Sequence, residues 1–127
     1  MKNYVQPGLT LTLTAPYDVA AGACALVGAI FGVAASAVVS GARGEFDTQG
    51  VFDLAKATGA AWTEGAAIYW DNTNKNCTIT ATSNTLVGYA VKDDVLGAMP
   101  GSGDTAGRVA VIPGIGAALA AALAADA

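Results

Sequence analysis

The sequence predicts an all-β domain, a small barrel or sandwich-like module closed by a short Ala-rich C-terminal helix. Three observations carry this. Leu9-Thr10-Leu11-Thr12-Leu13-Thr14 alternates apolar and polar residues with period two, the pattern of a half-buried strand. Short apolar segments recur between turn-forming clusters such as Pro7-Gly8, Ser40-Gly41, Ser83-Asn84 and Pro100-Gly101. Many short strands with Gly-rich turns favour a barrel or sandwich.

The first strand covers residues 9–14, leucines toward the core and threonines outward, ended by Ala15-Pro16. No charge occurs between Asp18 and Arg43. That run is long enough for a bilayer-spanning helix, but its composition opposes one. Its strongly apolar residues from 19 to 39 are Val19, Leu26, Val27, Ile30, Phe31, Val33, Val38 and Val39. Such residues favour insertion by roughly 0.3–0.6 kcal/mol each, so together by about 2.5–5 kcal/mol. The remainder are Ala, Gly, Ser and Cys, and no Trp, Tyr or Lys brackets the run at both ends. Residues 24–34 are therefore expected as a pair of buried strands, with Gly28 and Gly32 at bends or close backbone approaches. Residues 1–18 are polar and strand-like with a single Lys, so no signal peptide is expected.

Residues 40–44 read as a turn, and 45–49 and 51–54 as strand around Gly50. Residues 56–65 read as a loop or short helical turn carrying Trp62. Ile68-Tyr69-Trp70 is a strand nucleus closed by the polar tract 71–76. Residues 77–82 and 85–91 read as a hairpin around Ser83-Asn84, and 108–112 as a last strand. After Pro113, Ile115, Leu119 and Leu123 recur at i, i+4, i+8 on an Ala-rich background, which predicts a helix over 114–125. Twelve residues or so are marginal as an isolated helix, so it needs a surface to dock on. The expected organisation is an arm at residues 1–8, a β-rich core at 9–112 and a helical tail at 113–127.

Composition limits function. At 127 residues the chain is one domain. Hydrophobic residues are 54% and charged residues 13%, about half the usual charged share. A surface so poor in charge implies coverage by a partner or by copies of itself. The six basic residues are scattered singly and the net charge is −4, which argues against nucleic-acid binding. With no histidine, Ser-His and Cys-His nucleophile pairs and His-ligated metals are excluded. No Gly-Lys pair occurs, so there is no phosphate-binding P-loop. The segment 101–107 resembles a dinucleotide fingerprint but places its last glycine one residue too far and precedes a strand. Asp71-Asn72-Thr73-Asn74-Lys75-Asn76 invites a calcium reading, yet Lys75 holds a ligand position, which favours a polar turn. Asp47, Asp53, Glu64 and Asp93-Asp94 read as solvated turn residues. Cys24 and Cys77 read as two small buried thiols rather than a disulfide. No cofactor or metal is expected. Trp62, Tyr69 and Trp70 form a candidate aromatic cluster: a core and interface cluster first, a ligand-stacking platform second.

Four blocks together resemble a known family. They are Tyr4-Val5-Gln6-Pro7-Gly8 leading into residues 11–16; Leu26-Val27-Gly28 with Phe31-Gly32-Val33-Ala34; Gly50-Val51-Phe52-Asp53-Leu54 with Trp62 and Tyr69-Trp70-Asp71; and Asn84-Thr85-Leu86-Val87-Gly88 with Ala90-Val91. In order and spacing they are similar to small phage proteins of the capsid cement or head-decoration type. Some members carry a RecA/RadA-type recombinase label, which the absent P-loop and absent basic groove contradict here. The stretch after Pro113 departs from the ending the resemblance leads one to expect.

The resemblance implies a non-enzymatic structural virion protein on the capsid exterior, made in the cytoplasm of a bacterial host. Its partners would be the major capsid protein and copies of itself, as a homotrimer, with no nucleic acid and no membrane. Tyr4, Val5, Gln6 and Pro7, polar as a segment and ahead of the first strand, are the candidate capsid-contact arm. The alternative is a virion-surface β-barrel that recognises host glycans through Trp62, Tyr69 or Trp70. An ATP-dependent recombination protein is the third reading.

Overall fold

The computed structural model describes residues 10–92 and 99–112. Within them the chain is all-β. The strands are β1 (Thr10–Thr14), β2 (Cys24–Val27), β3 (Ile30–Ala34), β4 (Arg43–Asp47), β5 (Gly50–Ala55), β6 (Ala67–Asp71), β7 (Asn76–Thr78), β8 (Thr85–Ala90) and β9 (Ala106–Val111). They form two antiparallel sheets, ordered β1-β4-β3-β2 and β5-β9-β8-β6-β7. The expected barrel does not close. The edge strand β7 meets the residue after β5 through one parallel bridge, Lys56 to Cys77, rather than a ladder. The N-terminal arm and the C-terminal helix lie outside the described residues.

The uncharged run folds as β2, a turn at Gly28 and β3. Gly28 takes a φ of +62°, the left-handed region that a residue with a Cβ enters at a cost. Away from its tip, where Ile30 is exposed, the hairpin is buried on both faces, which explains its lack of alternation. Cys24, Phe31 and Val33 face the main core, with Leu54, Trp62, Ile68, Trp70, Cys77, Val87, Ala90, Val109 and Val111 from the second sheet and its connections. Ala25 and Ala34 face a smaller core with Ala15, Val19, Val38 and Phe46. Here the connections 15–23 and 35–42 lie over the first sheet and pair through Val19 and Val38, whose amides and carbonyls exchange two 2.8 Å bonds. Small residues let these layers approach. A Cβ on Gly32 would stand 2.8 Å from the Phe46 Cβ, and one on Gly44 would stand 2.3 Å from the Val38 side chain. Among the described residues no helix is long and apolar enough to cross a membrane.

Three elements differ from expectation. The strand read around Gly50 is two strands in different sheets: the chain leaves β4 at Asp47 and enters β5 at Gly50, whose φ is +143°. The turn expected at 40–44 is shorter, because Arg43 and Gly44 already pair with Thr14 and Leu13. The hairpin expected from 77–82 and 85–91 does not form. β7 ends at Thr78 and pairs with β6, while β8 lies on the other side of β6 and pairs with β9. The tract 71–76 is the real hairpin turn. Asp71 accepts from the amides of Thr73 (2.9 Å) and Asn74 (3.1 Å) and from the Asn74 side chain (2.9 Å), and Lys75 takes a φ of +58°. The Ser83-Asn84 turn also forms, with Ser83 at a φ of +63° and the Asn84 amide donating to the Ala81 carbonyl (3.1 Å), but it carries the chain from one side of β6 to the other.

Candidate functional site

The two tryptophans are structural posts. Trp62 sits in the connection between β5 and β6, 3% exposed, its amide donating to the Pro100 carbonyl (3.1 Å). Its indole packs against Gly107 of β9, where a Cβ would come within 2.3 Å of the ring. Trp70 on β6 is 2% exposed, meets the Phe31 ring at 5.3 Å between centroids, and donates through Nε1 to the Asn72 side chain (3.1 Å). Tyr69 precedes Trp70 in the same strand. Successive strand residues point to opposite faces, so Tyr69 lies half-buried on the outer face, away from both indoles. The three aromatics are therefore not one assembly, and neither indole is presented as a stacking platform.

The buried Lys56 is also held by the fold, while the Asn76 side-chain oxygen is buried without a hydrogen-bond partner. Lys56, 3% exposed, donates through Nζ to the carbonyls of Ala57 (3.0 Å) and Asp104 (3.4 Å) and stands 5.8 Å from the Trp62 ring centroid. It ties the end of β5 to the loop before β9, beside its bridge to Cys77. Cys24 and Cys77 are free thiols. Burial pushes Cys24 up to about 12 and pushes Cys77 upward as well. The thiolate is the reactive form, so burial keeps both inert. Asp53 accepts a bidentate contact from Arg108 (2.9 and 3.2 Å), and that hydrogen bonding holds its carboxyl below its usual range. Asp71 is lowered too, first by the Asn74 amide.

On the surface of the described residues two faces stand out. The first is the half of the first sheet that extends beyond the main core. There β1 and β4 carry a polar ladder: Thr10 donates to Asp47 (2.8 Å), Thr12 donates to Glu45 (2.6 Å) and Arg43 donates to Thr14 (3.3 Å). β1 is the outer strand of this sheet, and among the described residues nothing pairs with its other side. Tyr4, Val5, Gln6 and Pro7 precede this strand in sequence and lie outside the described residues. The opposite side of β1 presents Leu11 and Leu13, both only half-buried.

The second face is the outside of the second sheet. Val51 of β5, Ala110 of β9, Tyr89 of β8 and Ala67 of β6 stand in register as one row across four strands. Val51 is 60% exposed and Tyr89 42%, while Ala110 and Ala67 are half-buried. Ile112 continues the same face at 39% exposure. The Asp53–Arg108 pair bounds this row on one side. Sequence reasoning missed the row. Val-Gly-Tyr-Ala and Gly-Val-Phe read as core strand, and only the observed register tells the outward residues from the inward ones.

A family model described as phage cement protein matches residues 5–99 of the chain. That span holds β1 to β8 and stops short of β9. No curated protein and no solved structure matches the chain.

Proposed function

The chain belongs to the phage cement protein family, and from that premise we propose that it binds the outer surface of an assembled phage capsid and reinforces contacts between neighbouring major capsid proteins. Membership gives it a structural role in the phage, associated with the capsid. The family match, running through both sheets, is the observation that carries the reading.

The geometry supplies a means. A standard protein–protein contact buries about 800 Å² on each partner. The chain exposes 7128 Å², so one such contact uses about a ninth of its surface. The side of β1 that no described strand pairs with, with the half-buried Leu11 and Leu13 beside it, can accept an added strand, in which main-chain hydrogen bonds give affinity and alternate side chains give register. Tyr4, Val5, Gln6 and Pro7 precede this edge strand in sequence and are the candidate capsid-contact residues. Copies of the chain would sit as trimers at local three-fold positions, so that each modest contact is repeated over the shell. The glycan reading loses its platform, since both indoles are buried.

The test is reconstitution. Purified chain is added to mature capsids that lack it, and binding and capsid melting are followed together. The reading expects saturable binding, a higher capsid melting temperature, and at least a tenfold loss of affinity when residues 1–8 are removed. Failure to bind, or binding without any gain in capsid stability, would refute it.

A further inference from the structure

We infer that residues 114–125 dock, within the same chain, on the outer apolar row formed by Val51, Tyr89, Ala110 and Ile112. This goes beyond the capsid-binding reading and does not depend on it. The row is the outward face of three adjacent strands and carries no charge between the Asp53–Arg108 pair and Ile112. Val51 and Tyr89 on this face are too exposed, at 60% and 42%, to be core residues. Residues 113–127 offer the matching chemistry. Their only charged side chain is Asp126, and Ile115, Leu119 and Leu123 repeat every fourth residue.

Dimensions agree. On a helix, positions 115 and 123 stand about 12 Å apart at 1.5 Å per residue. Extended by Ala67 of β6, which pairs with Tyr89, the row crosses four strands and spans three strand spacings, about 14 Å. A stripe of three branched side chains is therefore as long as the apolar row is wide. The occupant belongs to the same chain because of where the segment starts. Ile112, on the rim of the patch, is separated from Ile115 only by Pro113 and Gly114, a reach of at most about 11 Å. A tether this short gives an effective concentration in the millimolar range. A second copy at micromolar concentration competes poorly against that.

The experiment uses the full chain, free of capsid, with a benzophenone photocrosslinker in place of the Leu119 side chain. Isotope-labelled and unlabelled chains are mixed at low micromolar concentration, irradiated and mapped by mass spectrometry. The proposal expects adducts within one chain to peptides containing Val51, Tyr89 or Ile112, and at least a fivefold lower yield in a Val51→Asp background. Adducts between labelled and unlabelled chains, adducts elsewhere, or no adducts would each overturn it. A second readout needs no probe. In the native chain, amides of residues 115–123 should exchange at least tenfold more slowly than in an unstructured peptide, and Val51→Asp should remove that protection while leaving β8 and β9 protected. Unprotected amides in the native chain would equally overturn the proposal.

Discussion

Gly88→Ala is the sharpest perturbation of the fold. Gly88 lies where β8 departs from regular pairing with β6: Ile68 pairs with Gly88 and Tyr69 with Leu86, which leaves Val87 as an extra residue. The distortion presses Gly88 onto β9. A Cβ there would stand 1.9 Å from the Ala110 carbonyl oxygen and 2.9 Å from its carbon. These are backbone atoms of the neighbouring strand β9, so no side-chain rotation relieves the clash. β8 and β9 must separate, straining the pairs Gly88–Val111, Tyr89–Ala110 and Ala90–Val109. Overpacking costs about 1–3 kcal/mol, and losing two ladder hydrogen bonds adds about 1 kcal/mol each. The expected loss is roughly 3–5 kcal/mol, a large part of a stability that is commonly 5–15 kcal/mol. Urea unfolding followed by tryptophan fluorescence reads it directly, because both indoles are buried. Gly28→Ala is the control. Gly28 has a φ of +62° but nothing within 4 Å of its would-be Cβ, so only backbone strain remains, about 1 kcal/mol. A Gly88→Ala midpoint within about 0.5 kcal/mol of wild type would refute the close approach of β8 to β9.

Further outcomes follow from the same structure. Gly107→Ala should be costly because the Trp62 indole occupies the space, and much of that cost should vanish in a Trp62→Ala background; a double-mutant cycle should give at least about 1 kcal/mol of coupling. Cys24 and Cys77 should react with a thiol reagent at pH 8 on the order of a thousandfold more slowly in the folded than in the unfolded chain, since thiolate is scarce when the pKa rises from about 8.5 toward 12. Asp53 and Asp71 have folded-state pKa values below their unfolded ones. Their stabilisation is thus complete above the unfolded value of about 3.9 and fades as pH falls through the lower folded values. Urea midpoints should fall below pH 4, and Asp53→Asn should blunt the fall; its exposed pair with Arg108 limits the effect to about 1 kcal/mol or less.

The individual strands were legible in the sequence where pattern alone decides them. Leu-Thr alternation announced β1, and the aromatic run 68–70 announced β6, because period-two burial and β-propensity act locally. The uncharged run was legible as buried strands because its alanines and glycines are too weakly apolar for lipid. Pairing was not legible. Both polar tracts form turns and look alike in sequence, but only the one closed by the Asp71 side chain joins paired strands, β6 and β7. The sheet change between Asp47 and Gly50 hinges on one positive φ. The fate of the aromatics followed the same divide: Tyr69 and Trp70 are neighbours in sequence and lie on opposite faces. Nothing in the local pattern marks Gly107 as the seat of Trp62, since the partners are far apart in the chain. The family, in contrast, was legible in the order and spacing of four short blocks, each weak alone.

The central claim is that this chain works as cement on the outside of a phage capsid, and its copy number and position in purified particles test it most directly. An image reconstruction of the intact virion, with quantitative mass spectrometry of the same preparation, provides both. The account predicts outer-surface density that fits the two-sheet domain, one copy per major capsid protein, with β1 and residues 1–8 against the capsid. A particle preparation without this chain, or one that holds it only inside the shell, would contradict the account.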